Sequence, residues 1–179
     1  MLFDIETTSL SGMDGRVTCI ACMDEDDKEE KISILWNEDE KIILETFFKM
    51  LCDEELLKNN LVLLGFNIKS FDIPFIVKRA IVNEVFIPES LLKSQIIDLR
   101  DICNSYELHF EKQSTATKGT LNEWAKIMGM EEKTEDGLKC IDYFINREWD
   151  KLKEHCQYDV EITSELYERL KKIGLIKKY

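Results

Sequence analysis

The chain has 179 residues, of which 44% are hydrophobic and 34% are charged, and its formal net charge is −12. This length suits one domain with a sizeable core, so we expect residues 1–179 to form a single domain. The acidity argues against a protein that coats nucleic acid by neutralising phosphates, without excluding an enzyme that grips a few nucleotides in a narrow cleft. No apolar run approaches the roughly 20 residues of a membrane helix, and no basic and apolar leader opens the chain. We therefore expect no membrane association and a cytoplasmic location.

Strand-like segments come first and then alternate with helical ones. Apolar and alternating patterns predict strands near 2–6, 16–23, 31–36, 61–64 and 96–99. The second and third of these form a hairpin around the acidic run 24–30, which we interpret as a solvated tip. The run 61–64 is continuously apolar, so we expect it to be buried on both faces of a sheet. A hairpin followed by alternating strands and helices predicts an α/β layer fold.

Capping signals and helical spacing predict where the helices lie. Asn37, with Glu40 three residues later, is predicted to cap the first helix. Ser70 is predicted to cap the second, which has Pro74 in its first turn, where proline is tolerated. Further helices are predicted at 121–128, stopped by Gly129, at 138–148, and at 149–173, stopped by Gly174. The polar residues 104–119 are expected to form an irregular, mobile loop.

Six cysteines lie at positions 19, 22, 52, 103, 140 and 156, mostly among apolar neighbours. We expect them to be reduced core residues of a cytoplasmic chain. Cys19 and Cys22 form a C-x-x-C, yet a structural zinc site needs two such pairs or a following histidine pair. The strand pattern around them is the better interpretation, so we reject a zinc site at this pair.

Two acidic residues, Asp4 and Glu6, lie within the predicted opening strand. Side chains alternate along a strand, so Asp4 and Glu6 point to one side, while Phe3 and Ile5 point to the other. Two like charges on one face repel, and burying an uncompensated carboxylate costs several kcal/mol or forces it neutral. No Lys or Arg precedes Arg16 in the chain. A bound divalent metal is therefore the natural compensating cation, and a frayed strand with both acids in water is the alternative.

A third acid, Asp159, falls within the apolar stripe of the last predicted helix. The stripe consists of Leu152, Cys156, Ile162, Leu166, Leu170 and Ile173. His155 lies four residues before Asp159, one turn away on the same face. Asp72 follows the predicted strand 61–64, at the edge where ligands of α/β folds collect. Each has an ordinary structural explanation alone, such as an acid complementing a helix dipole. Their combination predicts a functional site.

Three motifs, in this order, resemble those of the DEDD 3′–5′ exonucleases. The segment 3–7 resembles the first motif, D-x-E. The segment 65–80 is similar to the second, N-x(2–3)-[FY]-D, and its extended form closely matches the proofreading domain of family B DNA polymerases. The segment 155–160 resembles the third, in which a general base precedes the last Asp. The resemblance covers nearly the whole chain, and no polymerase domain follows Tyr179, so we expect a stand-alone relative.

One position departs from the family pattern. Members of the family carry either Tyr four residues before the last Asp or His five residues before it. This chain has His155 at four before Asp159, because position 154 is Glu. Tyr158 adjoins Asp159 and should face elsewhere on the helix. His155 still lies beside Asp159, and an imidazole is a competent general base near neutral pH.

The resemblance implies a ribonuclease H-like fold, with the opening strand central in a mixed five-stranded sheet flanked by helices. It implies catalysis with two divalent ions, and hard oxygen ligands favour Mg²⁺ or Mn²⁺. The implied metal ligands are Asp4, Glu6, Asp72 and Asp159, with His155 as the fifth catalytic residue. The implied substrate contacts are Asn67, Phe71 and the segment Thr7 to Leu10, with Leu10 as a wedge against a base.

The sequence thus predicts a metal-dependent 3′–5′ exonuclease that acts on single-stranded 3′ ends, of DNA rather than RNA, and releases nucleoside 5′-monophosphates. One alternative is an RNA-trimming or structure-specific nuclease that uses the same site. Another is a degenerate nuclease fold that only binds nucleic acid or a protein partner. The four intact acids argue against degeneration, whereas the missing tyrosine and the acidic surface argue mildly for it.

Overall fold

A computed structural model describes residues 1–24, 31–52, 61–110, 119–130 and 138–176, with backbone alone at 106–110. Five strands of these residues form one mixed sheet. They are β1 (Leu2–Thr7), β2 (Val17–Met23), β3 (Ile32–Trp36), β4 (Val62–Gly65) and β5 (Gln95–Asp98). The strand order is β3-β2-β1-β4-β5, with β1 antiparallel to β2 and parallel to β4. The predicted central position of the opening strand in a mixed five-stranded sheet is confirmed.

Helices cover both faces of this sheet. They are α1 (Glu40–Met50), α2 (Asp72–Val82), α3 (Glu89–Lys93), α4 (Leu99–Phe110), α5 (Leu121–Met128), α6 (Lys139–Ile145) and α7 (Trp149–Lys172). One core lies between the sheet and α1 and α2, and it contains Phe3 and Ile5 of β1. The second core lies between the sheet and α5, α6 and α7. The α/β layer architecture predicted from the order of the elements is confirmed.

Two glycine stops were predicted correctly. Gly129 ends α5 with a φ of 76°, and Gly174 follows α7 with a φ of 79°, both in the left-handed region that glycine adopts at low cost. α5 begins with a capping box, in which Thr120 and Glu123 each accept a hydrogen bond from the other's backbone N–H. Local chemistry alone therefore fixes the ends of these helices.

Two predicted N-caps are wrong. α1 begins at Glu40 and is capped by Asp39, while the Asn37 side chain accepts from the Asp39 N–H. Glu40 cannot complete a capping box because its carboxylate points away, to the Val17 N–H. α2 begins at Asp72 with no side-chain cap, and the N–H of Ser70 donates to the Asn67 carbonyl in the preceding turn. A tertiary contact of Glu40 outweighs the local capping signal at α1, whereas the Ser70 N–H belongs to a local turn before α2.

Three further element predictions need correction. Residues 104–110 belong to α4 rather than to a loop, because Leu99 and Cys103 bury one face of a helix whose other face is polar. The remaining predicted loop residues, 111–118, and the predicted acidic tip at 25–30 lie outside the described residues. The helix predicted at 138–148 spans only Lys139–Ile145. Ile173 is 68% exposed, because it lies beyond the last turn of α7.

The cysteines divide between the two cores. All six lie among the described residues as thiols, and five are buried, whereas Cys52 is exposed, against the expectation that all are core residues. Cys19 and Cys22 pack into different cores, one on each face of the sheet. Their side chains therefore cannot share one metal ion. Within the described residues, the helices include none that is long and apolar enough to span a membrane.

A buried ion pair joins α1 to α2. Arg79 Nη2 lies 2.7 Å from Glu40 Oε2, and the side chains of Arg79 and Glu40 are 12% and 5% exposed. Glu40 also accepts from Arg79 Nε and from the side chain of Asn83. The carboxylate is thus fully hydrogen-bonded, which is the condition under which a buried charge is tolerated.

We expect Arg79→Met to lower the free energy of unfolding by about 3 kcal/mol or more, because it leaves the buried Glu40 carboxylate without its cation. Urea unfolding followed by circular dichroism measures the change. Lys93→Met is the matched control, since Lys93 pairs with Glu89 where both side chains are more than 70% exposed. That control should change stability by at most about 1 kcal/mol. Equal changes in the two variants would contradict a structural role for the buried pair.

Candidate active site

The two acids of β1 lie on the sheet face that α7 covers. Phe3 and Ile5 belong to the core under α1 and α2, so Asp4 and Glu6 point to the opposite face. Glu6 is 7% exposed and Asp4 is partly buried. Their carboxylate oxygens lie within 4.8 Å of each other. Two acids this close inside a protein require a compensating positive charge.

α7 places His155 and Asp159 beside these acids, since the two residues lie one turn apart on the buried face of the helix. His155 Nε2 is 3.6 Å from Glu6 Oε1 and 3.7 Å from Asp159 Oδ2. The Cys156 thiol donates to the Asp4 carbonyl oxygen over 3.7 Å, which ties the helix to β1 at this level. The third predicted motif therefore meets the first one in space.

Asp72 is the first residue of α2 and is 2% exposed. Its Oδ1 accepts a hydrogen bond of 3.2 Å from the N–H of Ile5, the residue between Asp4 and Glu6. Burial raises the pKa of Asp72 to about 7, and the carboxylates of Asp98 and Asp159 also raise it, against the lowering effect of backbone N–H groups. The fourth acid thus lies within electrostatic reach of Asp159.

At the end of β4, the backbone at Gly65 passes close to neighbouring atoms. A Cβ on Gly65 would lie 2.3 Å from Ile68 Cγ2 and 2.9 Å from the carbonyl oxygen of Phe3, so only glycine fits there. Asn67 then adopts a φ of 68°. The buried Asp98 accepts from the N–H groups of Asn67 and Lys69, at 2.8 and 3.0 Å. These contacts fix the loop that leads into Asp72.

A cavity of about 280 Å³ lies beside Asp4, His155 and Asp159. It is lined by Asp4, Phe66, Asn67, Arg100, Thr120, Leu121, Asn122, His155 and Asp159. Among the described residues of this lining, Arg100 is the one arginine or lysine, and its Nη1 donates to Asn67 Oδ1 over 2.8 Å. Its Nε is buried and has no hydrogen-bond partner among the described residues. The lining of the cavity therefore combines the acids Asp4 and Asp159 with a guanidinium.

The four predicted substrate contacts do not all line the cavity. Asn67 lines the cavity, whereas Thr7, Leu10 and Phe71 are not part of its lining. Thr7 Oγ1 donates to the Ser9 carbonyl, and Leu10 is 78% exposed. The Phe71 ring packs against the Phe75 ring, with centroids 5.6 Å apart. The structure thus brings Asp4, Glu6, His155 and Asp159 together and links Asp72 to them through the Ile5 N–H. One of the four predicted substrate contacts lines the cavity.

Sequence reasoning missed Asp98, Arg100 and the start of α5. Asp98 is the last residue of β5, and Arg100 directly follows the predicted strand near 96–99, at the carboxyl edge where ligands of α/β sheets collect. That position could have identified them. The contribution of Thr120 to the cavity depends on how α5 packs against α7, for which the sequence carries no local signal.

The ligand set suits a hard divalent cation. Asp4, Glu6, Asp72 and Asp159 come from three separate segments and supply carboxylate oxygens, which are the preferred ligands of Mg²⁺ and Mn²⁺. The raised pKa of Asp72 shows how unfavourable its ionised form is without a cation nearby. The residues present therefore fit a metal centre.

The fold and the site together define an α/β protein of the ribonuclease H-like class. A family model described as RNase_H superfamily matches residues 1–171, and the chain belongs to this superfamily. Enzymes of the superfamily are in general hydrolytic nucleases that use divalent metals, which agrees with the cluster of acids. The uncharacterized protein MJ0365 of Methanocaldococcus jannaschii is 29% identical over 186 residues, covering 99% of this chain and 98% of that protein.

A solved structure has the same fold. The chain is similar to the family B DNA polymerase of Pyrobaculum calidifontis, with a TM-score of 0.72 and 20% sequence identity. The match covers 97% of this chain and 24% of the polymerase, so the chain spans about a quarter of that protein. The predicted resemblance to a part of family B polymerases is confirmed for the fold.

Proposed function

We propose that residues 1–179 form a single exonuclease domain that degrades single-stranded nucleic acid from its 3′ end, DNA in preference to RNA, in the cytoplasm. The products are nucleoside 5′-monophosphates. One observation carries the proposal: acids of β1 and α7 flank His155 beside one cavity, and Asp72 at the start of α2 accepts from the backbone N–H between the two acids of β1. A volume near 280 Å³ lies at the lower end of ligand cavities, about 300–1,000 Å³, and so favours one terminal nucleotide over a duplex.

Asp4, Glu6, Asp72 and Asp159 would hold two Mg²⁺ or Mn²⁺ ions. Bound there, the ions would supply a water activated for attack and charge stabilisation at the leaving 3′ oxygen. The protein's part is to fix the carboxylates beforehand. The N–H of Ile5 holds Asp72, and the packing of α7 on β1 holds Asp159 beside Asp4 and Glu6.

His155 is the proton acceptor in this proposal. Its Nε2 lies between Glu6 and Asp159, within 3.7 Å of both, and its side chain borders the cavity. An imidazole in this position accepts a proton from the attacking water, and the two flanking carboxylates stabilise the imidazolium that forms. His155 thereby takes the role of the general base at the spacing where related motifs carry tyrosine.

Asn67 and Arg100 form the nucleotide-binding side of the cavity. The hydrogen bond between them orients the guanidinium, which has further N–H donors for a phosphate. Thr7, Leu10 and Phe71 lie outside the cavity, where they would contact the next nucleotides of a strand. The exposed Leu10 is suited to pack against a base.

A 5′-labelled single strand should shorten progressively from its 3′ end in the presence of Mn²⁺ or Mg²⁺, and EDTA should stop the reaction. Matched DNA and RNA oligonucleotides, resolved on denaturing gels, decide both polarity and sugar preference. Internal cuts would favour the structure-specific endonuclease instead. Faster shortening of RNA would favour an RNA-trimming enzyme.

We expect Arg100→Ala to lower kcat/KM by about 10-fold or more, since a hydrogen bond to a charged group contributes about 1.5–3 kcal/mol. Most of the loss should appear as a raised KM, because Arg100 binds the substrate and takes no part in proton transfer. Steady-state rates on a single-stranded oligonucleotide measure the effect. Lys93→Ala removes an equal charge from an exposed ion pair and should leave the rates unchanged. An unaltered KM in the Arg100 variant would exclude this contact.

A further inference from the structure

A thiol lies next to the candidate active site and takes no part in the proposed reaction. Cys140 is the second residue of α6 and is fully buried. Its Sγ, a ligand nitrogen of His155 and a carboxylate oxygen of Glu6 all lie within 4.8 Å of one another. The three residues come from α6, α7 and β1, and none is more than 9% exposed. The fold thus places three different metal-ligand types around one point.

This set of atoms differs in chemistry from the four carboxylates. Thiolate and imidazole select Zn²⁺, whereas Mg²⁺ and Mn²⁺ favour oxygen alone. In a tetrahedral zinc site the ligand atoms lie about 3.4–3.6 Å apart, as follows from the usual Zn–O, Zn–N and Zn–S bond lengths. His155 Nε2 and Glu6 Oε1 are already 3.6 Å apart. The ligand atoms of Glu6, His155 and Cys140 lie within 4.8 Å of one another, so a bound ion would have to draw them together to these distances.

We propose that Cys140, His155 and Glu6 form an inhibitory Zn²⁺ site that shares two residues with the active site. His155 borders the cavity, so an ion reaches the site through the same opening as the substrate. Three protein ligands leave a fourth position for water. Zinc binding removes the proton from the Cys140 thiol, so the site competes with protons as well as with other metals.

The inhibitory effect rests on the proposed function, whereas zinc binding itself does not. A zinc-bound His155 cannot accept a proton, and a zinc-bound Glu6 is removed from the Mg²⁺ or Mn²⁺ ligands. Zn²⁺ therefore inhibits by occupying two residues that the proposed reaction requires. The neighbouring set of Asp4, Glu6 and Cys156 also brings its atoms within 4.8 Å, but it contains no imidazole, and the Cys156 thiol donates to the Asp4 carbonyl.

Metal binding is tested on the full chain, stripped of metal and kept reduced, without nucleic acid. Titration with Co²⁺ should produce a sulfur-to-cobalt charge-transfer band in the near ultraviolet, and Zn²⁺ should abolish that band by displacement. Cys140→Ser should lose the band and weaken Zn²⁺ binding by at least about 10-fold, since even groups that support a metal ligand from outside contribute 10–100-fold. Cys52→Ser changes an exposed cysteine and should retain the band.

Two outcomes would overturn the site. Loss of the band in Cys156→Ser, with retention in Cys140→Ser, would assign the metal to the other thiol. X-ray absorption at the zinc edge of the unmodified protein is independent of how the variants fold. It should show one sulfur at about 2.3 Å together with nitrogen and oxygen ligands. A spectrum with nitrogen and oxygen alone would exclude Cys140 as a ligand.

Inhibition is measured separately, as the ratio of rates with and without Zn²⁺ at saturating Mg²⁺ within each variant. We expect the concentration of Zn²⁺ that halves the rate to rise by at least about 10-fold in Cys140→Ser, in line with the loss of affinity. Zinc binding with no exonuclease activity in the unmodified protein would remove the proposed function and retain the site. Exonuclease activity with equal zinc sensitivity in both proteins would remove the inhibitory role.

Discussion

Asp4→Ala should abolish Mn²⁺-dependent degradation of a labelled oligonucleotide while the fold survives. Asp4 borders the cavity and lies within 4.8 Å of Glu6, so the variant removes one of the proposed ligands of the metal centre. Metal ions contribute several kcal/mol of charge stabilisation in the transition state, so the rate should fall by at least about 10³-fold. The fold should survive because the change also relieves repulsion between two neighbouring acids.

The measurement is the initial rate of oligonucleotide shortening, with circular dichroism to show that the variant is folded. Asp14→Ala is the matched control, since Asp14 is an exposed acid in the loop that follows β1. Mn²⁺ should also raise the melting temperature of the unmodified protein and of the control, because a ligand that binds only the folded state stabilises it. The Asp4 variant should show a smaller rise. Undiminished turnover in Asp4→Ala would remove this residue from the site.

The acids of the site were predictable because simple periodicities place them. Alternation along β1 puts Asp4 and Glu6 on one side, and the turn of a helix puts His155 beside Asp159. In each case a charged or polar residue lies where the pattern predicts a buried side chain. This conflict is visible in the sequence alone. The structure adds the link between segments, the hydrogen bond from the Ile5 N–H to Asp72, which only the completed sheet can form.

The features that the sequence did not predict depend on distant contacts. Glu40 has the spacing of a capping-box residue, yet it binds Arg79 of α2 and the N–H of Val17, 23 residues away. Asp98 fixes the loop at Asn67, 31 residues away, through a partly buried hydrogen bond. Local rules cannot weigh such contacts against a helix cap. For the same reason the sequence does not reveal that Cys140 lies near Glu6 and His155, which depends on the packing of α6 against β1 and α7.

The loop prediction for the residues of α4 was wrong because it relied on their polar composition. The charged and hydroxyl side chains of α4 suggested a loop, although Leu99 and Cys103 lie four residues apart and bury one face in the core that α7 covers. A short amphipathic helix at the protein surface needs few apolar residues, so composition underestimates it. The wrong prediction also affects the candidate site, because Arg100, near the start of α4, lines the cavity.

His155→Ala should lower kcat by about 10²-fold or more with little change in KM, as expected for the loss of a general base. The geometry makes this test informative, because Nε2 lies 3.6 Å from Glu6 and 3.7 Å from Asp159, between two proposed metal ligands. A histidine that only fills this space would affect stability and metal affinity instead of proton transfer. The variant should therefore retain a Mn²⁺-dependent rise in melting temperature.

Chemical rescue distinguishes the two roles of His155. Alanine at this buried position leaves space for free imidazole, which should restore part of the activity of His155→Ala and should not affect Asp4→Ala. His155→Gln is the matched variant, since glutamine retains hydrogen-bonding capacity but cannot accept the proton, and it should be as slow as the alanine variant without responding to imidazole. A loss of less than about 10-fold in kcat, falling short of the 10²–10⁴-fold that general bases contribute, would make His155 structural. Activation of the attacking water would then be left to the metal centre held by the four acids.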